Sequence, residues 1–215
     1  MAALTLADGL VYHPDYLSRT AQADLLAQLE RVFRAAPPFT PRMPRTAKPF
    51  SVRMTNCGEL GWVSDESGYR YQPIHPETGE RWPPMPDILL KAWADLAAYR
   101  LPPEACLANL YDDRARMGLH QDRDEEDLDA PVVSLSLGNT ALFRIGGLER
   151  SSPTRSIRLN SGDAIVFGGA SRLIFHGIDR IIPDSSWLLL DQATTRAPLP
   201  AGGRINLTLR RVTRS

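Results

Sequence analysis

The second half of the chain is built from short segments in which apolar and polar residues alternate. This period-two pattern begins after Ala105 and continues almost to the C-terminus, with Gly, Asp, Asn or Pro between the segments. Such alternation is typical of β-strands with one buried face, and the intervening residues favour turns. The segments are CLANLYD, VVSLSLG, ALFRIGG, RSIRLN, DAIVFGG, RLIFHGI and RINLTLRRV. Seven or eight short strands at this spacing predict a sandwich or a jelly roll.

Two helices are predicted before this β-rich half. Residues 18–36 carry Leu, Val and Phe at helical spacing, and Ser18 is placed to cap the N-terminus of that helix. A Pro-Pro pair ends the helix, and a proline-rich basic stretch follows. Residues 86–99 repeat the helical spacing. Since no internal repeat or break in composition is present, we expect one domain over residues 1–215, mainly β with flanking helices.

Charge is balanced overall but unevenly distributed. The chain has 25 basic and 25 acidic residues, yet residues 37–56 and the last twenty residues contain no acid, whereas Asp122–Asp129 is strongly acidic. The basic residues of these stretches are Arg42, Arg45, Lys48, Arg53, Arg196, Arg204, Arg210, Arg211 and Arg214. A basic rim around an acidic site would suit nucleic acid, because phosphate contacts need Lys and Arg. An ordinary solvated surface gives the same pattern, so charge alone does not decide.

Several classes of protein are excluded by simple patterns. No apolar run approaches the roughly 20 residues that cross a bilayer. The N-terminus lacks a basic region and is interrupted by Asp8, so it does not resemble a signal peptide. Cys57 and Cys106 stand alone without CxxC spacing, which argues against a zinc site or a disulfide framework. We therefore expect a cytoplasmic protein without membrane association.

A His-x-Asp motif at His120 and Asp122 is the first candidate for a metal site. On an extended strand these side chains point to the same face and can meet one ion. The other histidines are His13, His75 and His176. His176, at the end of the apolar strand LIF, is best placed to complete the set. Two His and one carboxylate are typical of non-haem iron(II) oxygenases, although a surface pair in an acidic loop would give the same motif.

The last predicted strand carries a candidate anion site. The residues that share its polar face are Arg204, Asn206, Thr208 and Arg210. Two guanidinium groups suit a dicarboxylate, because Arg binds carboxylates through two parallel hydrogen bonds. Upstream, Asn109 and Tyr111 form a second i, i+2 pair that could add neutral hydrogen bonds. A solvated polar strand face is the alternative.

These segments, taken together and in order, resemble the AlkB family of iron(II)/2-oxoglutarate dioxygenases. The similar segments are NLYDDRARMGLHQDRDE, FHGI and RINLTLR. MTNCGELGW with SGYRYQPI is similar to the nucleotide-recognition lid of the bacterial DNA-repair branch. The resemblance extends from about residue 50 to the C-terminus. It implies a double-stranded β-helix, a form of jelly roll, with a lid at about residues 37–85 and a catalytic core at about residues 105–215.

The resemblance also implies a role for each polar residue of the predicted site. The implied iron ligands are His120, Asp122 and His176. The implied partners of the distal carboxylate of 2-oxoglutarate are Arg204, Tyr111 and Asn206. The implied partners of the carboxylate beside the keto group are Arg210 and Asn109.

The resemblance places Trp62 and Tyr69 beside the substrate base. Enzymes that act on a base extrude it and hold it between aromatic or apolar groups, and such stacking contributes roughly 1–3 kcal/mol per base. Both aromatics lie in Gly-rich polar surroundings, ELGWVSDESGYRY, where a core position, the alternative, is less expected. The further implied substrate contacts are Met54, Asp124, Glu125 and Arg150.

Two positions depart from the family pattern. Gly118 stands where a small hydroxyl residue is expected, and Phe167 stands where Trp would fit the repair branch. We expect neither residue to contact the metal ligands, so the departures would affect the access of oxygen or base and not the chemistry.

The implied function is oxidative demethylation of alkylated bases of the 1-methyladenine and 3-methylcytosine type. The implied partner is single-stranded alkylated DNA, with RNA as a further candidate, and we expect a monomer. Fe(II), 2-oxoglutarate and O2 are required, and formaldehyde, succinate and CO2 are released. One alternative is demethylation or hydroxylation of RNA or a protein side chain by the same chemistry. The other is binding of methylated nucleic acid without turnover, against which the complete ligand set argues.

Overall fold

The computed structural model describes residues 2–188 and 203–214, so Arg196 lies outside the described residues. The helices are α1 (Arg19–Ala35) and α2 (Asp87–Leu96). The strands are β1 (Leu4–Ala7), β2 (Leu10–His13), β3 (Arg53–Gly58), β4 (Gly61–Asp65), β5 (Gly68–Gln72), β6 (Ala105–Tyr111), β7 (Met117–His120), β8 (Val132–Gly138), β9 (Ala141–Ile145), β10 (Arg155–Leu159), β11 (Ala164–Phe167), β12 (His176–Ile181) and β13 (Arg204–Arg210). In the described ranges no helix has the length and apolar character of a membrane span.

Eleven of the thirteen described strands form two antiparallel sheets that face each other. The large sheet has the order β1-β2-β11-β8-β13-β6-β3, and the small sheet has the order β10-β9-β12-β7. Apolar side chains fill the space between them, including Leu107 and Tyr111 from the large sheet and Phe143 and Ile178 from the small one. This arrangement confirms the predicted mainly β jelly roll with flanking helices.

Both helices pack on the outer face of the large sheet. Leu25 and Leu29 of α1 and Leu89 of α2 are fully buried against Leu135 and Leu207 of the sheet. The large sheet is therefore apolar on its helix-covered face, and its other face is free to carry polar residues toward the small sheet. The helices stabilise the sheet without taking part in the site.

The predicted helix boundaries are largely confirmed. The hydroxyl of Ser18 accepts a hydrogen bond from the amide of Ala21 at 3.2 Å, as an N-cap should. The second helix ends earlier than predicted, at Leu96, because Ala98 adopts a left-handed conformation with φ of 48°.

The interval before residue 105 contains more strands than the alternation pattern suggests. β2 pairs with β11, and β3 pairs with β6, so both belong to the large sheet. Only β4 and β5 of the 37–85 interval form a separate two-stranded sheet. The division into a lid at 37–85 and a core at 105–215 stays a prediction.

The prediction that LIF is a strand ending at His176 is wrong. Gly169–Ser171 forms a 3₁₀ turn, and β12 begins at His176. The residues between them do not pair as a strand. Instead, the amide of Phe175 donates a hydrogen bond to the carbonyl oxygen of Gly147, in the turn between β9 and β10. Likewise β7 ends at His120, so Asp122 lies beyond the strand rather than on it.

β7 and β12 approach each other closely because Gly177 has no side chain. A Cβ atom at this position would lie 2.5 Å from the carbonyl oxygen of Met117 and 2.9 Å from that of Gly118. At Gly118, by contrast, nothing lies within 4 Å of the equivalent atom. Because the register pairs His176 with His120, Gly177 also determines how closely these two histidines meet.

Gly177→Ala is therefore expected to separate β7 from β12 and to destabilise the protein. Overpacking of this kind costs about 1–3 kcal/mol, and each kcal/mol lowers the Tm by about 2–4 °C in a chain of this size. Gly118→Ala is the matched control and should leave the Tm unchanged. Thermal unfolding followed by circular dichroism compares the two, and equal Tm values would contradict the prediction.

Candidate active site

The predicted metal ligands meet between β7 and β12. The ring centroids of His120 and His176 are 4.5 Å apart. Asp122 Oδ1 lies 3.7 Å from His120 Nε2, and its Oδ2 lies 3.9 Å from His176 Nε2. One ligand atom from each residue lies within 4.8 Å of the others. The position of Asp122 just after β7 thus still brings its carboxylate to both imidazoles.

Both imidazoles are oriented for coordination through Nε2. His120 Nδ1 lies 2.9 Å from the carbonyl oxygen of Gly118, and His176 Nδ1 lies 3.1 Å from that of Ile174. Because a carbonyl only accepts hydrogen bonds, the hydrogen is assigned to Nδ1, and the Nε2 lone pair faces Asp122. Burial, together with the neighbouring His120, lowers the pKa of His176 to about 4, so its ring is neutral near pH 7.

Asp122 is kept ionised by a buried arginine. Arg210 Nη2 donates to Asp122 Oδ2 at 2.7 Å. Burial alone would raise the pKa of Asp122, but Arg210 and the two histidines outweigh it and hold the pKa well below its usual range. The set of two imidazoles and one carboxylate matches the ligands of non-haem iron(II).

Glu125 lies beside this pair and is buried, with only 6% of its surface exposed. Its Oε1 accepts a hydrogen bond from the hydroxyl of Tyr71 and lies 3.1 Å from Arg210 Nε, without a hydrogen bond to that nitrogen. Its Oε2 accepts from Arg172 Nη2 at 3.0 Å. The carboxylate predicted to contact substrate is thus occupied by three side chains of the protein.

Arg172 joins the elements that carry the metal ligands. Its guanidinium donates to the carbonyl oxygens of Ala130 and Asp122, at 2.8 and 2.5 Å, as well as to Glu125. Arg172 precedes His176 in the chain, so one side chain fixes the loop of Asp122 relative to the start of β12.

Arg204 is a buried cation without a carboxylate partner among the described residues. It is fully buried, and its guanidinium donates to the hydroxyl of Ser136 and to the carbonyl oxygens of Asn139 and Leu159. Its Nε has no partner in the described chain. Burial lowers the pKa of Arg204 to about 10. An unpaired buried charge is costly, so this position is suited to an anion.

A second polar row lies beside Arg204 on the same face of the large sheet. Asn206 Nδ2 donates to Ser134 Oγ at 2.7 Å, and Asn109 lies across from Asn206 on β6. Asn109 Oδ1 and Arg210 Nη1 are buried without partners in the described chain. The unpartnered arginine nitrogens, Arg210 Nη1 and Arg204 Nε, are donors and fit a ligand with two carboxylates, whereas Asn109 Oδ1 accepts and fits a hydrogen-bond donor.

All the predicted site residues line one cavity of about 520 Å³ between the two sheets. The metal set, Arg204 and Arg210 lie on the same cavity as Trp62, Tyr69, Met54 and Arg150. The sequence analysis missed Ser134, Ser136, Tyr71 and Arg172. The two serines could have been found, because they alternate with buried Val and Leu in VVSLSLG.

The aromatic pair lies at the mouth of the cavity. Trp62 and Tyr69 stack with centroids 5.5 Å apart and an interplanar angle of 19°, and half of Tyr69 is exposed. Trp62 Nε1 donates to Asp124 Oδ2 at 2.8 Å. Met54 is buried behind them. Trp62 is partly buried and Tyr69 is half-exposed, so Tyr69 in particular differs from an ordinary core aromatic.

The remaining predicted positions have defined contacts. Arg150 donates to the carbonyl oxygen of Leu119 at 2.8 Å and lies over the ring of Phe175. The expectation that neither Gly118 nor Phe167 contacts the metal ligands is wrong for both residues. The Phe167 ring stacks on that of His176 with centroids 4.8 Å apart, and the carbonyl oxygen of Gly118 lies 2.9 Å from His120 Nδ1. Phe167 therefore supports a ligand imidazole.

We expect 2-oxoglutarate to stabilise the protein through Arg204. At a hundredfold excess over its Kd, a ligand adds about 2.7 kcal/mol. Arg204→Met should abolish most of the corresponding rise in Tm, because the bidentate carboxylate contact is lost. Arg158→Met, on the exposed part of β10, should retain the rise. A thermal-shift titration with 2-oxoglutarate measures the rise in Tm, and an equal rise in both variants would contradict the role of Arg204 in binding.

Comparisons with known proteins agree with this geometry. The model of the 2OG-Fe(II) oxygenase superfamily matches residues 9–210. The chain is 52% identical over 210 residues to an alpha-ketoglutarate-dependent dioxygenase AlkB homolog of Caulobacter vibrioides, covering 97% of this chain and 90% of that protein. It is 50% identical over 132 residues to AlkB of Escherichia coli, covering 60% and 61% of the two chains.

Solved structures give the same result. The structure of OsALKBH1 superposes with a TM-score of 0.80 at 31% identity, and the match covers 98% of this chain and 100% of that chain. Sequence, fold and the arrangement of the cavity therefore agree, and the chain belongs to the AlkB family within the 2OG-Fe(II) oxygenase superfamily.

Proposed function

We propose that the chain is an iron(II)- and 2-oxoglutarate-dependent dioxygenase that oxidatively demethylates alkylated bases in nucleic acid. The preferred substrates are bases of the 1-methyladenine and 3-methylcytosine type in single-stranded DNA, with RNA as a further substrate. The observation that carries the proposal is the single cavity in which the metal set, two buried arginines and the stacked pair of Trp62 and Tyr69 lie together.

The metal and cosubstrate follow from the donor sets. His120, Asp122 and His176 hold the iron, with both Nε2 atoms facing Asp122. Arg204 holds the distal carboxylate, helped by the cross-strand neighbour Tyr111 and by Asn206. Arg210 holds the other carboxylate through its unpartnered Nη1, and Asn109 adds a hydrogen bond from the Nδ2 hydrogen that is not used toward Asn206. Iron bound with 2-oxoglutarate supplies the oxidising chemistry with O2, and the protein supplies orientation and a shielded site.

The base is held at the mouth of the cavity. Trp62 offers a ring face for stacking, and Asp124 holds the indole in place through Nε1. Tyr69, Met54 and Arg150 line the same space. Since a base inside a duplex must be extruded first, single-stranded substrate is favoured energetically.

Basic residues lie close to this mouth. Ser51 donates to the carbonyl oxygen of Arg116 at 2.8 Å, so the basic stretch 37–56 meets the loop before β7 beside Phe50 and Met117, which line the cavity. Arg45, Lys48, Arg116 and Arg123 are exposed. They suit the phosphates of a strand whose base enters the cavity. The monomeric state and the cytoplasmic location stay predictions.

The function is tested with purified protein, Fe(II), 2-oxoglutarate and ascorbate. Oligonucleotides that carry 3-methylcytosine in single-stranded DNA, duplex DNA and RNA are compared with a methylated peptide, and formaldehyde and succinate are measured. We expect the fastest release from single-stranded DNA. Binding without formaldehyde release would indicate a reader, and release from the peptide alone would indicate a protein demethylase.

His120→Ala or His176→Ala should abolish turnover in this assay, because two ligands hold iron poorly. His13→Ala, on β2 and away from the residues that line the cavity, is the matched control. A tenfold loss of activity corresponds to a loss of about 1.4 kcal/mol of transition-state stabilisation. Retention of more than roughly a tenth of wild-type activity would therefore overturn the ligand assignment.

Asp124 is expected to select bases that carry a positive charge. N1-methyladenine and N3-methylcytosine are cationic, whereas N3-methylthymine is neutral, and a cation over a tryptophan face gains about 0.5–2 kcal/mol. Asp124→Asn keeps an oxygen for Trp62 Nε1 and removes only the charge. It should lower kcat/KM for the cationic bases about tenfold more than for N3-methylthymine, a difference of about 1.4 kcal/mol.

Single-stranded oligonucleotides with each base, compared at one pH and salt concentration, give this ratio. An equal loss on charged and neutral bases would mean that Asp124 shapes the site without selecting charge.

A further inference from the structure

Tyr71 connects the β4–β5 hairpin to the buried charges of the site. It lies on β5 two residues after Tyr69, so both side chains point to the same face. Tyr69 is half-exposed at the mouth, whereas the hydroxyl of Tyr71 reaches inward and donates to Glu125 Oε1. Burial raises the pKa of Tyr71 well above its usual value, so the hydroxyl remains a hydrogen-bond donor at neutral pH.

Glu125 connects the Tyr71 hydroxyl to Arg210. The oxygen that accepts from Tyr71 is also the one that lies 3.1 Å from Arg210 Nε. The other oxygen of Glu125 is fixed by Arg172. Movement of the Tyr71 hydroxyl would therefore move Glu125 Oε1 or remove its hydrogen bond. Either change would alter the electrostatic interaction between Glu125 and Arg210. Buried charged groups respond strongly to such changes, because the surroundings screen them poorly.

The hairpin is also attached to its surroundings on the side away from the cavity. Val63 of β4 is buried with Ala36, Phe39 and Trp82, and Trp82 Nε1 donates to the carbonyl oxygen of Gln72 at 2.7 Å. β4 and β5 pair only with each other among the described strands. Besides Tyr71, side-chain hydrogen bonds that tie β4 to the rest join Trp62 Nε1 to Asp124, Asn56 to the backbone of Trp62, and Ser64 to the carbonyl oxygen of Arg42. An isolated two-stranded hairpin is marginally stable in water, so its position depends on these contacts.

We propose that Tyr71 is a positioning residue that links the position of the β4–β5 hairpin to the binding of 2-oxoglutarate at Arg210. The proposal rests on the function proposed above. When a carboxylate binds Arg210, the arginine and Glu125 become fixed, and Glu125 in turn holds the hairpin over the cavity. Linkage is reciprocal, so a hairpin held in place also raises the affinity for 2-oxoglutarate.

Tyr71→Phe tests this linkage because it removes the hydroxyl and keeps the ring. Tyr99→Phe is the matched control. Tyr99 also donates to a carboxylate of the acidic segment, Asp127 Oδ2 at 2.7 Å, but the carboxylates that pair with Arg210 in the described ranges are those of Asp122 and Glu125. Both variants lose one tyrosine-to-carboxylate hydrogen bond, and only one of these bonds leads to the anion site.

The first measurement is hydrogen exchange of the amides of β4 and β5, with Fe(II) under anaerobic conditions, with and without 2-oxoglutarate. In the wild type and in Tyr99→Phe, 2-oxoglutarate should slow exchange several-fold. In Tyr71→Phe this slowing should be absent. If exchange slows equally in Tyr71→Phe, or does not slow in the wild type, the linkage is overturned.

The second measurement is the affinity for 2-oxoglutarate by calorimetry under the same conditions. We expect binding to Tyr71→Phe to weaken about three- to tenfold, and the KM for 2-oxoglutarate to rise while kcat at saturation stays within about twofold. An unchanged affinity would overturn the proposal. Absence of 2-oxoglutarate binding to the wild type would instead overturn the function proposed above, so the two failures are distinguishable.

Discussion

The ion pair between Arg210 and Asp122 is the interaction on which the site depends. Both groups are buried, and isolated charges in a protein interior are strongly disfavoured. Each is retained because the other lies 2.7 Å away. Glu125 and Arg172 form a second buried pair beside them, so two cations and two anions balance inside the jelly roll. The carboxylate that faces both imidazoles is ionised at neutral pH for this reason.

This balance has a consequence for the proposed ligands. Under the proposed assignment, iron(II) adds two positive charges to the cavity, and 2-oxoglutarate adds two negative ones. Each therefore reduces the electrostatic cost of admitting the other. Arg204 adds a further positive charge without a described carboxylate partner, so the dicarboxylate is attracted even before the metal is considered.

Sequence reasoning was most successful where a repeating pattern reflects burial. Alternation predicted β6, β8 and β13, because each has one face against the helices and one toward the cavity. It failed at LIF, where an apolar run looks like a strand although the chain bends to bring Arg172 inward. Glu125 was predicted from the sequence only as a substrate contact, and Tyr71 was not predicted. Only the fold brings the Glu125 carboxylate and the Tyr71 hydroxyl together inside the protein, whereas Asp124 is exposed and Tyr69 is half-exposed.

The separate sheet formed by β4 and β5 divides the molecule into parts that can evolve at different rates. The chemistry depends on strands that pair across the whole jelly roll, where a change in register would disturb many residues at once. The hairpin pairs only with itself among the described strands, so its turn can lengthen or change composition without disturbing the catalytic sheets. Under the proposed assignment of Trp62 and Tyr69 to the substrate base, grafting the Gly61–Gln72 hairpin of one relative onto another, with Tyr71 retained, is a direct route to new base preferences.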